Sequence, residues 1–253
     1  AGNVSVDGGT IKLDGNYPLG TDNVALGNNT LSGSITGAGN IAIGDSVLSN
    51  ATSGSNAVAI GRDAMGVGVY TGGDSIAIGR SSLQNNTSGN YNVAVGAQAG
   101  NSLSTQSSSV MVGFQAGYNS ASAAKTLIGF RAGFEGASDG NSVFVGNEAG
   151  YNNETYTNTA VGNQALRTNV GGYGSVAIGD RASFSQLNGH SNTSLGGLAL
   201  YSNAAGISNV AVGLNAAYEA TGSYNTAVGH KAFYGSAGAN SGGNNTAVGI
   251  ETL

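Results

Sequence analysis

The chain has 253 residues and an unusual composition, with 45 glycines, one proline and no cysteine or tryptophan. Apolar residues make up 40% of the chain, charged residues 8%, and the formal net charge is -5. The absence of cysteine excludes disulfides, thiol catalysis and zinc–thiolate sites. The eight Lys and Arg residues are scattered, so no basic patch for a nucleic-acid partner is present. No apolar run approaches the length of a membrane span, so no membrane insertion is predicted.

Two regions are predicted, a lead-in segment at residues 1–22 and a tandem-repeat region at residues 23–253. Each repeat contains a β-run of three residues, which is an apolar residue or Thr, a central residue, then Val, Ile or Leu. A glycine closes the run, and we call it the corner glycine. The corner glycines are Gly27, Gly44, Gly61, Gly79, Gly96, Gly113, Gly129, Gly146, Gly162, Gly179, Gly196, Gly213, Gly229 and Gly249. They are 16 to 18 residues apart, except for a spacing of 20 before the last.

A small residue recurs three positions after the corner glycine, and in ten of the fourteen repeats it is Ala. Each unit therefore predicts a short strand, a glycine corner, a second short arm and a polar connection. Because so short a unit cannot fold alone, the fold class predicted is all-β, a parallel β-solenoid of about 14 coils of ~17 residues. With rungs roughly 4.8 Å apart, the stack would span on the order of 60 Å with essentially no helix. Collagen, calcium-binding nonapeptide rolls and helical repeats all need other periods.

Alternation along the β-run suggests which residues face outward. We predict that the first and third residues fill the coil interior and that the central residue points out. The central residues assigned to interchain packing are Ala25, Ala42, Ala59, Ala77, Ala94, Met111, Leu127, Phe144, Ala160, Ala177, Ala211, Ala227 and Ala247. A continuous apolar stripe of this kind marks an interface. By itself it would fit a dimer or a trimer.

The repeats resemble the head repeats of trimeric autotransporter adhesins of the YadA type. The matching segments have the form Asn/Ser-x-Ala-Val/Ile-Gly-x-x-Ala, as in residues 92–99 and 209–216. The resemblance implies a left-handed parallel β-roll, three chains side by side as a trimeric fibre, and surface attachment. Similar repeats also occur in bacteriophage tail fibre proteins, and residues 9–18 resemble fibre proteins of marine bacteriophages.

No convincing catalytic set is present, so the prediction is a protein that is not an enzyme and has no cofactor or metal. Glu148 beside Arg131, and Asp45 beside Arg62, are interpreted as exposed ion pairs between neighbouring coils. Two alternatives stay open. A polysaccharide-degrading solenoid enzyme would need paired carboxylates. An ice-binding solenoid would need a flat array of Thr, whereas the Thr residues at run starts are interrupted by Val.

Aromatic residues recur five positions after the corner glycine and should align by stacking. This aromatic column contains Tyr118, Phe134, Tyr151, Phe184, Tyr201, Tyr218 and Tyr234. Its role is either packing along the fibre and between chains or binding to a glycan or other surface, since Tyr combines an apolar ring with a polar tip. We also expect ligand contacts in protruding connections, namely the one holding His190 and the one at residues 235–244.

The function predicted is a structural and adhesive fibre segment, most consistent with a phage tail fibre that contacts the host cell surface. The head of a bacterial trimeric adhesin is the same function on another particle. The location would be the virion or the bacterial cell surface, outside the cell. The partners would be two further copies in a homotrimer and a host surface glycan or protein receptor. Because Leu253 falls in mid-coil, we expect the natural chain to continue beyond it.

Overall fold

The structure is a computed structural model that describes residues 20–136, 140–235 and 242–252. Most of the predicted lead-in segment therefore lies outside the described residues. The described part of the chain contains sixteen β-strands and no helix, and hence no helix that could span a membrane.

Fourteen three-residue strands form one parallel sheet, and each coincides with one predicted β-run. They are β1 (Val24–Leu26), β2 (Ile41–Ile43), β3 (Val58–Ile60), β4 (Ile76–Ile78), β5 (Val93–Val95), β6 (Val110–Val112), β7 (Thr126–Ile128), β8 (Val143–Val145), β10 (Thr159–Val161), β12 (Val176–Ile178), β13 (Thr193–Leu195), β14 (Val210–Val212), β15 (Thr226–Val228) and β16 (Thr246–Val248). Two-residue strands β9 (Asn152–Asn153) and β11 (Thr168–Asn169) pair separately. Equivalent residues pair from coil to coil, as Ala94 does with Ala77 and Met111. The predicted parallel β-solenoid is confirmed, with about 13 turns.

The corner glycines are required by their conformation and by the closeness of the next coil. All fourteen have φ between 119° and 141°, which L side chains rarely adopt. A Cβ on Gly213 would come within 2.5 Å of the Gly229 carbonyl oxygen in the following coil. The stack therefore tolerates only glycine at this corner.

The predicted facing of the β-run is wrong. The central residues assigned to interchain packing are buried inside the single chain, apart from half-buried Ala25: they are Ala25, Ala42, Ala59, Ala77, Ala94, Met111, Leu127, Phe144, Ala160, Ala177, Ala211, Ala227 and Ala247. The first and third residues are half-buried or exposed, as Ile76 and Ile78 illustrate. The coil interior is narrow, because residues three and four positions after the corner glycine also point into it. The central side chain of the β-run fits beside the residues of the second arm. The two β-branched side chains at the first and third positions would not.

A buried column of Asn and Ser precedes the β-runs and ties the coils together. The Asn40 side chain accepts a hydrogen bond from the Ala57 backbone N–H at 3.0 Å and donates one to the Gly54 carbonyl at 2.8 Å. Equivalent bonds recur at Asn92 and Asn192. These amides satisfy backbone groups that the narrow coil would otherwise leave buried without partners.

Candidate ligand-binding strip and outward sheet face

The predicted aromatic column exists as two stacks of parallel rings. Tyr118, Phe134 and Tyr151 form the first, with ring centroids 5.3 and 5.1 Å apart. The second stack joins Phe184, Tyr201, Tyr218 and Tyr234 at 5.2, 4.9 and 5.3 Å. Neighbouring rings cover each other's faces, so the column presents mainly ring edges and Tyr hydroxyls. This geometry favours packing along the fibre, and a sugar could not stack flat on a ring within either stack.

Arg167 connects the two stacks, a role that the sequence interpretation missed. Its guanidinium carbon lies 5.0 Å from the Tyr151 ring centroid and 5.9 Å from that of Phe184. The sequence spacing could have indicated this role. Arg167 is also five positions after a corner glycine, in the coil between those of Tyr151 and Phe184. A guanidinium is planar and stacks on aromatic faces, so it replaces a ring without breaking the column.

Glu148 lies beside Arg131 of the neighbouring coil, as predicted, but its ion pair is with Arg167. The Arg167 Nε donates to Glu148 Oε2 at 2.8 Å, and Gln164 Nε2 donates to the same oxygen at 3.0 Å. The hydrogen bond from Arg167 is the main cause that lowers the pKa of the Glu148 carboxyl. Arg131 instead lies against the Phe130 and Phe134 rings, with its guanidinium carbon 5.1 and 5.3 Å from their centroids.

Beside the aromatic column runs a second column, two positions after the corner glycine, which we call the polar ladder. It consists of Gln98, Gln115, Arg131, Glu148, Gln164 and Arg181. Gln115 Nε2 donates to Gln98 Oε1 and Arg131 Nε donates to Gln115 Oε1, both at 2.9 Å. Further along, Arg181 Nε donates to Gln164 Oε1 at 3.1 Å. All six residues have positive φ, between 49° and 60°, and side-chain hydrogen bonds join equivalent residues of neighbouring coils.

Two connections between coils were predicted to protrude and contact a ligand. His190 is half-buried and stacks on Tyr173, with centroids 4.7 Å apart. The connection at 235–244 lies mostly outside the described residues.

The predicted ion pair of Asp45 and Arg62 is wrong. Asp45 accepts a hydrogen bond from Asn28, and Arg62 lies 3.5 Å from its neighbour Asp63.

An extended apolar surface is the outer face of the fourteen-stranded sheet, which we call the outward sheet face. It is formed by the first and third residues of every β-run, and of these twenty-eight side chains twenty-three are Val, Ile or Leu and five are Thr. At roughly 50 Å² for each aliphatic side chain, the face exposes about 1,000 Å², well above the few hundred Å² of an ordinary monomer patch. The outward sheet face, and not the row of central residues, is thus the candidate interface.

Among the described residues, no group of three His, Asp or Glu side chains could hold a metal ion. In comparisons with known proteins, no family model, no curated protein and no solved structure matches the chain.

Proposed function

We propose that this chain is a structural and adhesive fibre segment that works as a homotrimer, most consistent with a phage tail fibre that contacts the host cell surface. The observation that carries the proposal is the outward sheet face, which is mainly aliphatic and carries no charged side chain along fourteen consecutive coils. Its location on a virion or on a bacterial surface follows from the resemblance of the repeats to YadA-type heads and tail fibres.

The outward sheet face has the size and chemistry of a subunit interface. Its area of about 1,000 Å² exceeds the roughly 800 Å² that each partner buries in a standard interface. Its side chains are short and, apart from Leu26 and Leu195, β-branched, so they lose little conformational entropy when a second sheet packs on them. Association would also shield a long flat aliphatic surface from aggregation. The number three comes from the resemblance, because the face itself would equally fit a dimer.

Size-exclusion chromatography with light scattering tests the assembly. We expect the unmutated chain to be a trimer, and Val95→Glu combined with Val161→Glu to dissociate it, because each substitution buries an unpaired carboxylate. Asn163→Glu is the matched control, since Asn163 is exposed and lies off the outward sheet face. That variant should stay trimeric. A folded, unmutated monomer would overturn the assembly, and a dimer would overturn the number of chains.

The adhesive role is tested separately with the assembled fibre and host cells. We expect the labelled fibre to bind the surface of a susceptible bacterial strain and not that of a strain resistant at the adsorption step. Equal binding to both strains would leave the chain a structural spacer and would contradict the adhesive part.

A further inference from the structure

We propose that the polar ladder and the aromatic column together form one elongated binding strip for a neutral, linear polysaccharide that lies along the fibre axis. The inference deepens the adhesive role proposed above and rests on it. It concerns the second arm of each coil, which is distinct from the outward sheet face.

The polar ladder offers regularly spaced hydrogen-bonding groups with unused capacity. Arg131 and Arg181 each use Nε to hold a neighbouring Gln, and within the described residues their Nη atoms make no hydrogen bond. Each Gln amide that bonds within the ladder keeps a second N–H, and its oxygen keeps a second lone pair. Because neighbouring side chains hold one another in place, little ordering remains to be done when hydroxyl groups bind.

The aromatic column supplies the other side of the strip. In the coils that contain Tyr118, Phe134 and Tyr151, the two residues between the columns are Ala and Gly, all of them buried. Across these small residues Arg131 packs on the Phe134 ring and Glu148 bonds Arg167, so the two columns form one continuous surface on which a flexible chain could lie. Ring edges and Tyr hydroxyls facing a polar ladder match the alternating C–H and O–H groups of a pyranose.

Charge decides between a neutral and an anionic ligand. Arg131, Arg167 and Arg181 are balanced by Glu148, which Arg167 binds directly, and by Glu135 and Asp180, which flank the strip. The strip is thus close to neutral on a chain whose net charge is -5, and an anionic polymer would be repelled as it approached. Several weak contacts repeated at each rung suit a long neutral chain better than a compact charged group.

The test uses the full chain and neutral hexasaccharides with β-1,4-glucose, α-1,4-glucose, β-1,4-mannose and β-1,4-N-acetylglucosamine linkages, with hexagalacturonate as the anionic comparator. Saturation-transfer NMR and calorimetry would be run at low and at physiological salt. We expect at least one neutral hexasaccharide to bind with an affinity that salt hardly changes. Gln164→Ala and Gln115→Ala should each weaken it about tenfold, as the loss of two hydrogen bonds predicts.

Asn163→Ala is the matched control, because Asn163 also belongs to a side-chain ladder, donating to Asp180 at 2.7 Å, one residue before Gln164. It should change the affinity less than twofold. The strip is overturned if no neutral hexasaccharide binds, if hexagalacturonate binds more tightly and in a salt-dependent way, or if Asn163→Ala weakens binding as much as Gln164→Ala. The oligomeric state measured on the same samples shows whether the fibre assembly survives, and the host-cell experiment tests the adhesive role by itself, so the proposals can fail separately.

Discussion

At the scale of single residues, Tyr70 shows what a narrow coil demands of a large side chain. Its ring is fully buried against Gly54, where a Cβ would lie 2.5 Å from the ring Cε1. Its hydroxyl is buried and has no hydrogen-bond partner among the described residues. The Ser75 hydroxyl, which donates to the Gly73 carbonyl at 3.1 Å, opposes the effect of burial on the Tyr70 pKa only in part. Burial raises the pKa of Tyr70 to about 12.

Tyr70→Phe should therefore stabilise the protein and remove part of its sensitivity to alkali. At neutral pH we expect a gain of about 1 kcal/mol, because a buried hydroxyl without a partner is lost. In the unmutated protein the unfolded chain ionises near pH 10 while the folded chain keeps the proton to about pH 12. Stability is therefore full below pH 10 and falls by about 2–3 kcal/mol as the pH rises toward 12.

Urea unfolding at pH 8 and pH 11 measures both effects of Tyr70→Phe. Tyr91→Phe is the control, since Tyr91 is 64% exposed and should alter neither value. Equal alkaline losses in the Tyr70→Phe variant and the unmutated protein would contradict the interpretation of Tyr70.

At the scale of the coil, the fourth residue after the corner glycine and the central residue of the next β-run share one space. Leu83 precedes Ala94, whereas Gly100 precedes Met111 and a Cβ on Gly100 would lie 2.9 Å from the Met111 Sδ. Between these two pairs, the large side chain changes from the second arm to the β-run. Close packing explains this exchange, because neither a void nor an overlap is tolerated in a core one side chain wide.

Glu148 makes stability depend on acid pH, because it stabilises its own coil and the next. Its pKa is lowered mainly by the Arg167 hydrogen bond, so its contribution is full above the ordinary carboxyl pKa and is lost as the pH falls through the folded value. We expect Glu148→Gln to lower the free energy of unfolding by about 1–2 kcal/mol at pH 7. The difference should shrink toward zero in acid.

Thermal unfolding of Glu148→Gln between pH 7 and pH 2.5 measures this dependence. Glu251→Gln is the control, because Glu251 pairs with Lys231 at 3.4 Å on the exposed surface, where an ion pair contributes little. A difference from the unmutated protein that stays constant across this pH range would rule out the assigned role of Glu148.

The architecture could be predicted from the repeat, but the facing of the strand could not. Corner glycines and run spacing determine where the strands lie, because only glycine fits those corners. Alternation says that Ala94 and Val95 face opposite sides, yet it cannot say which side is the interior. That choice depends on how much space the second arm leaves, and it required the structure. The Glu148 partner was missed because Arg167 reaches back across a neighbouring column.

At the scale of the whole molecule, the apolar core of the described residues divides into two clusters. One apolar cluster ends near Ala182 and the next begins at Ala199. Between them Ser183 and Ser194 occupy a position pair that neighbouring coils fill with Leu and Ala, and their buried hydroxyls bond each other at 2.9 Å. In a stack held by nearest-neighbour contacts, this polar pair interrupts the apolar contact between the two parts.

Ser183→Leu combined with Ser194→Ala should join the two clusters. We expect a gain of about 1–2 kcal/mol and a steeper unfolding transition, because one more apolar contact couples the two halves. Ser194→Ala alone should cost about 1 kcal/mol, since it leaves the Ser183 hydroxyl buried without its partner. Calorimetry of the single and double variants measures both changes. A double variant that is less stable than the single one would show that the site cannot accept the larger side chain.

Because equivalent residues pair in register, the number of repeats determines the length of this molecule. Every repeat adds one rung of roughly 4.8 Å, whatever its exact side chains. Recombination between two similar repeats would remove or insert whole rungs and leave the remaining pairings in register. The length of the solenoid can therefore change in fixed steps during evolution, independently of the side chains on its surface.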